Sequence, residues 1–269
     1  MERINAPIGV FDSGVGGLSV LKKLKNTLPH ESFIYVGDTA RAPYGVRSES
    51  EIREFVEEIL DYFEKKQVKL VVVACNTITM LGINTLKKNH SFDLIGMEKD
   101  SQLLVELSKT KKVGVLATRF TVNSGFHKKA ILALDPNFQV FYQACDDFVP
   151  IIESGDFASL KKDEAVKKYT KPMLNYGVDT VILACTHYPF LQKDIEKELG
   201  EAIKVIDPAE STSDVAKKYL VENGLAKTKG SRDILVNMTS NPELAKKVAS
   251  HIFDVANLRF KKIELTKLS

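Results

Sequence analysis

Cysteine is scarce in this chain, with 3 in 269 residues, and two of the three fall in matching settings. Cys75 lies in the run Leu70-Val71-Val72-Val73-Ala74-Cys75-Asn76-Thr77, and Cys185 in Thr180-Val181-Ile182-Leu183-Ala184-Cys185-Thr186-His187. Each thiol ends an apolar, strand-like run and is followed by polar residues suited to opening a helix. In an open parallel sheet, ligands bind beyond the carboxyl ends of the strands. Helix amides converging there favour a thiolate or a bound carboxylate. One such cysteine is most simply a packed side chain, because cysteine is among the most buried residue types. Two of them at matched positions point to a site.

A pair of thiols has three chemical uses. A redox pair would normally show Cys-x-x-Cys spacing, although distant cysteines can still meet. A zinc centre needs three or four close ligands, and only Cys185-x-His187 is local, so no metal is expected. Proton transfer fits better if the two halves of the chain face one another. One thiolate then removes a proton and the other thiol delivers one to the opposite face, as inversion at a carbon centre requires. The α-proton of an amino acid is a very weak acid, so its removal needs a positioned base and shielding from water. A thiol with an ordinary pKa of about 8.5 needs help to ionise near neutrality. Asp12, at the end of the first strand, and His187, two residues after Cys185, are the expected helpers. Cys145 has no matching partner in the other half and reads as structural.

The turn Gly14-Val15-Gly16-Gly17 follows the first strand. It has neither the Gly-Lys-[Ser/Thr] of a P-loop nor Gly-x-Gly-x-x-Gly spacing. It suits either a tight strand–helix turn or the approach of a small carboxylate to backbone amides. Asp12 is followed two positions later by Gly14 rather than a second acid, which excludes an aspartate-nucleophile phosphatase.

The elements that position these residues alternate along the whole chain. Strands are expected at Ile8–Phe11, Phe33–Val36, Leu70–Ala74, Leu94–Gly96, Val113–Ala117, Gln139–Tyr142, Val181–Ala184, Val205–Ile206 and Ile234–Asn237. Several are almost continuously apolar, as central strands covered on both faces are. Leu18, Leu21, Leu24 and Leu28 fall at helical spacing. Ile52, Phe55, Val56, Ile59, Leu60 and Phe63 do so behind a capping box at Ser48 and Glu51. Strand–helix alternation predicts a mostly parallel sheet. The interval from first strand to cysteine is about 70 residues in both halves, which suits two related α/β units rather than a solenoid. The apolar content of 44% excludes a disordered chain, and the length suits one large or two modest domains. With 38 basic against 35 acidic residues evenly spread, no nucleic-acid partner is expected. Lys22–Lys25 and Lys161–Lys168 read as solvated helix faces. The start of the chain lacks a signal-peptide pattern, and no window approaches a membrane span. An odd, small cysteine count fits a reducing, cytoplasmic setting.

Four ordered motifs together carry a resemblance. These are Ile8-Gly9-Val10-Phe11-Asp12-Ser13-Gly14-Val15-Gly16-Gly17-Leu18, Gly37-Asp38-Thr39-Ala40-Arg41-Ala42-Pro43-Tyr44-Gly45, Ala74-Cys75-Asn76-Thr77 and Ala184-Cys185-Thr186-His187-Tyr188-Pro189. In order and spacing they resemble the glutamate racemases of the aspartate/glutamate racemase family, over nearly the whole chain. The aspartate racemases are the weaker match.

The resemblance implies an isomerase that interconverts L- and D-glutamate without a cofactor and supplies D-glutamate for peptidoglycan. It implies an α/β fold of two pseudo-symmetric domains with mostly parallel sheets and the active site in the cleft between them. The first domain would span 1–97 and 208–269 and carry Cys75; the second, 98–207, would carry Cys185. By the matching motifs, Cys75 and Cys185 would be the acid/base thiols. Asp12, Ser13, Tyr44, Gly45, Asn76, Thr77, Thr186 and His187 would bind the substrate, with Asp38, Glu153 and His187 supporting the thiols. A homodimer is the expected assembly. The chain departs from the usual family pattern at Met97-Glu98-Lys99-Asp100-Ser101, at Asp146-Asp147 and at Asp207-Pro208, all outside the four motifs. Competing readings are a racemase for another acidic amino acid such as aspartate, and a non-catalytic dicarboxylate-binding protein, which would not need two matched thiols.

Overall fold

Ile8–Asp12 (β1) is buried along its whole length, and its covered faces explain the unbroken apolar run. A computed structural model of the chain describes residues 2–86, 90–230 and 233–265. In it, β1 lies parallel between Phe33–Gly37 (β2) and Leu70–Val73 (β3), and β3 pairs with Asp93–Gly96 (β4). A second sheet repeats the plan. Lys112–Ala117 (β5) lies between Gln139–Ala144 (β6) and Thr180–Ala184 (β7), and β7 pairs with Lys204–Ile206 (β8). The first sheet gains Ile234–Met238 (β9) beside β2, and Leu258–Lys262 (β10) beyond it. The strand orders are β10-β9-β2-β1-β3-β4 and β6-β5-β7-β8, with every pairing parallel. Each sheet therefore contains the same four-strand order, second-first-third-fourth.

The chain divides into two compact units. One runs to Met97 and resumes at Ala209; the other is continuous from Glu98 to Pro208. The nine expected strands are present to within a residue or two at their ends. β10 was not anticipated, because Leu-Arg-Phe-Lys-Lys has the charged character of an edge strand and little apolar signal. The helix Glu49–Lys65 begins with the expected capping box: Ser48 accepts the Glu51 amide at 3.3 Å and Glu51 accepts the Ser48 amide at 2.9 Å. The expectation for Lys161–Lys168 needs one correction. Lys162 is buried and ion-paired with Asp163 at 2.9 Å and Asp194 at 2.8 Å, while its neighbours face solvent.

Just before β3, Lys69 is buried with its ammonium 2.7 Å from Glu31 and 2.8 Å from the carbonyls of Ile4 and Leu225. Glu31 also accepts the Lys227 amide at 2.8 Å, so this pair fastens the returning segment to the first half of its own unit.

In the second unit, His127 is buried in the helix Phe126–Leu134, and its Nδ1 lacks a hydrogen-bond partner among the described residues. Burial lowers its pKa from 6.5 to about 4. A histidine depressed in this way costs stability as pH falls from 6.5 through 4, because only the unfolded chain takes up the proton in that window. The expected loss is about 3 kcal/mol, since each pH unit between those two values is worth ~1.36 kcal/mol. Urea denaturation at pH 7 and pH 4.5 checks this: His127→Leu should be less acid-sensitive than the parent, and equal slopes would refute it.

Candidate active site

In the first unit, β1 delivers Asp12 to the carboxyl end of the sheet, fully buried. Its Oδ1 accepts the Gly14 amide at 2.7 Å and the Ser13 hydroxyl at 3.4 Å. Ser13 Oγ in turn lies 4.0 Å from Cys75 Sγ. Cys75 stands just past β3 in extended backbone, and its carbonyl accepts both the amide and the hydroxyl of Thr79 at 2.9 Å. The short helix Asn76–Thr79 therefore starts directly at the thiol. Thr77 is buried, and Asn76 Nδ2 is buried without a hydrogen-bond partner among the described residues.

The glycine turn after β1 is required by packing. A Cβ at Gly17 would lie 2.7 Å from Asp12 Cβ and 3.0 Å from Ala74 Cβ, which draws the β1 and β3 ends together. Tyr35 secures the same turn by donating to the Gly14 carbonyl at 2.7 Å.

Asp38 follows β2 and is fully buried. Its carboxylate accepts from Arg41 Nε at 2.6 Å, from Thr239 Oγ1 at 2.9 Å, and from the Tyr44 hydroxyl. Arg41 is itself stacked over Phe55 at 4.2 Å and paired with Glu58. Burial, then Asp38, hold the Tyr44 phenol well above its ordinary pKa, so it remains a neutral donor. Cys75 is a minor contributor to that shift, which places Tyr44 in the electrostatic neighbourhood of the thiol. At Gly45 a Cβ would meet nothing within 4 Å, so packing does not explain that glycine.

In the second unit, β7 delivers Cys185, and Cys185, Thr186 and His187 are all buried. Cys185 Sγ lies 3.8 Å from His187 Nδ1, and His187 Nε2 lies 2.7 Å from Glu153 Oε1. Glu153 comes from the helix Phe148–Ser154. Burial alone would lower the His187 pKa. Hydrogen bonds and charges from Cys185 and Glu153 outweigh it and hold the imidazole well above its ordinary value. The Glu153 carboxylate fixes the orientation of the ring beside Cys185. Glu153→Gln is expected to lower the His187 pKa and to slow proton transfer at Cys185. An NMR titration of the imidazole reads the first effect directly; an unmoved His187 would show that Glu153 does not hold the proton.

The register equates the two halves residue by residue. Gly37 pairs with Asp12 as Ala144 pairs with Ala117, and the amides of Asp38 and Cys145 donate to Asp12 and Ala117 at 3.1 and 2.9 Å. Cys145 therefore has a counterpart after all: it occupies the position of Asp38. Its sulfhydryl donates to the Gln143 carbonyl at 3.5 Å, and burial, then the neighbouring Cys185, push its pKa well up. It stays a neutral packed thiol, as a structural cysteine should.

Within the first unit the structure thus gathers Asp12, Ser13 and Cys75, with Asp38 tied to Tyr44; within the second it gathers Cys185, His187 and Glu153. Three partners were not singled out by sequence reasoning. Arg41 stood in a quoted motif without a role. Thr239 becomes visible only once β9 is placed beside β2, and Tyr35 only once its hydroxyl is traced across to the turn.

Each of the two sheets carries a cysteine just after its third strand, and residues 8–216 match the Asp/Glu/Hydantoin racemase family. The chain belongs to that family. It is 40% identical to glutamate racemase 1 of Caldanaerobacter subterraneus over 265 residues, covering 98% of each chain. Among solved structures, it resembles the glutamate racemase isoform RacE1 of Bacillus anthracis, with a TM-score of 0.86, 31% identity, and 98% and 99% of the two chains covered. It also resembles the Francisella tularensis glutamate racemase in complex with D-glutamate, with a TM-score of 0.82, 30% identity and 98% coverage of each chain.

Proposed function

We propose that this chain interconverts L- and D-glutamate by a two-base mechanism without a cofactor, with Cys75 serving one face of the α-carbon and Cys185 the other. The observation that carries the proposal is positional: the two thiols follow the equivalent strands, β3 and β7, of two sheets with one strand order. In one direction a thiolate takes the α-proton, and the C–H electron pair is left on a carbanion delocalised into the neighbouring carboxylate. The opposite thiol then donates its proton to the other face. The reverse reaction exchanges the two roles. Both thiols must reach one substrate carbon for this to occur, so the mechanism requires the two units to present them to a shared ligand.

The surrounding groups fit this division of labour. His187, protonated and oriented by Glu153, exchanges a proton with Cys185. On the other side, Asp12 and Ser13 stand beside Cys75, and Asp38 acts through Tyr44. Asp12, Ser13, Tyr44, Gly45, Asn76, Thr77, Thr186 and His187 hold the substrate's carboxylates and ammonium group. The Nδ2 of Asn76, without a partner among the described residues, offers a donor for a carboxylate. The absence of any steric demand at Gly45 suits backbone approach to a ligand. The names of the similar proteins support glutamate as substrate, and the proposal extends to a homodimer in the cytoplasm that feeds D-glutamate to peptidoglycan synthesis.

The test is racemisation in D2O with no added cofactor or metal, started separately from each enantiomer. Product of inverted configuration should carry deuterium at Cα, while early residual substrate stays largely protiated. Inverted product that retains the original hydrogen would rule out two bases, and faster turnover of aspartate than glutamate would reassign the substrate.

A further inference from the structure

A second cluster of ligating side chains lies in the first unit and has no part in the proposed reaction. On the helix Glu49–Lys65, Glu57, Asp61 and Glu64 fall at i, i+4 and i+7, which lines their carboxylates along one stripe. Like charges at this spacing repel, so the stripe calls for a cation. The residue facing it is His90, whose side chain is only 2% exposed. Neither of its ring nitrogens has a hydrogen-bond partner among the described residues. Nε2 lies 3.6 Å from Glu57 Oε1 and Nδ1 lies 3.7 Å from Glu64 Oε2, both beyond hydrogen-bonding reach. The ring is fixed by stacking on Phe92, with centroids 5.2 Å apart and planes 6° apart. Glu64 is positioned by accepting the Ser91 amide at 3.0 Å.

A buried imidazole with two idle nitrogens beside acidic oxygens is costly unless something occupies the space between them. One ligand atom each from Glu57, Asp61 and His90 lie within 4.8 Å of one another. Ligands at about 2.0–2.1 Å from a tetrahedral ion stand ~3.3 Å apart, so modest rotamer changes would close the set.

We propose that Glu57, Asp61 and His90 bind a divalent transition-metal ion, with Glu64 beside it, joining this helix to the segment that enters β4. Two carboxylates and one imidazole suit Zn2+ or Mn2+, and water would complete the coordination. The ion is structural: it pins the second half of the helix whose Glu58 supports the Arg41–Asp38 pair.

Mn2+ is the probe, because it favours oxygen and imidazole over thiolate, so Cys75 and Cys185 do not compete for it. Titrating Mn2+ into the full chain should quench its free six-line EPR spectrum with about one equivalent bound, and Zn2+ should displace it. The melting temperature should rise with Mn2+ and fall back with EDTA. Glu57→Gln and His90→Ala should each weaken binding by at least the roughly 10–100-fold that loss of an outer-shell partner costs. A free Mn2+ spectrum that persists at high protein concentration would overturn the site. Binding unchanged in the partly exposed Glu57→Gln variant would overturn it as well, whether or not His90→Ala folds.

Discussion

Cys75→Ser and Cys185→Ser are each expected to lower racemisation by about 10²–10⁴-fold, the usual worth of a positioned acid or base. The more telling result is what each variant keeps. Under the proposed mechanism the remaining thiol still serves its own face of the α-carbon, so it should exchange the α-hydrogen of one enantiomer with solvent without inverting it. The two variants should therefore retain exchange with opposite enantiomers. Proton NMR in D2O, started from L- and then D-glutamate, reads this without any coupled assay. Equal exchange of both enantiomers in both variants would remove the cysteines from the mechanism. The same experiment on Cys145→Ser should show both directions intact, since that buried thiol donates to a carbonyl and is held neutral.

The largest expected effect on stability comes from Lys69→Met. The Lys69 ammonium ion-pairs with Glu31 and donates to two carbonyls in the interior, and burial pulls its pKa down against the opposing pull of Glu31. Removing it strands a buried carboxylate, which costs about 3–5 kcal/mol. At roughly 2–4 °C per kcal/mol for a chain of this size, Tm should fall by about 10 °C. Adding Glu31→Leu should recover much of the loss, because a buried ion pair is often replaceable by apolar groups of similar volume. A Lys69→Met variant that melts within a degree of the parent would show that the pair contributes little.

The central strands were legible because each is covered on both faces, so apolar side chains run without alternation through β1, β3, β5 and β7. The matched placement of Cys75 and Cys185 after their strands was legible because the same short pattern occurs in both halves. Relations that depend on register were hidden. That Cys145 stands where Asp38 stands follows from which residue of β6 pairs with Ala117, and no local pattern encodes that. The hold of Thr239 on Asp38 depends on β9 pairing with β2 across some 200 residues of chain. β10 was hidden for a different reason, since an edge strand carries the charges that discourage further pairing. His90 and Glu57 were hidden because a helix stripe and a loop residue more than thirty positions away meet only in three dimensions.

The placement of β9 has a consequence for how the molecule is made. β2 is bordered by β1 on one side and by β9 on the other, and β9 begins at Ile234. A ribosome emits the chain from its amino end, so β1 to β4 emerge long before the strand that covers β2. At about 5–20 residues per second, the interval is on the order of ten seconds. During that time β2 presents an unpaired row of amides and carbonyls, the kind of open edge that invites pairing with another nascent chain. The intervening unit, Glu98–Pro208, is continuous and can close its own sheet while the first waits. The unit begun first is thus the unit finished last, and its vulnerability to aggregation is concentrated in newborn chains rather than in the mature protein.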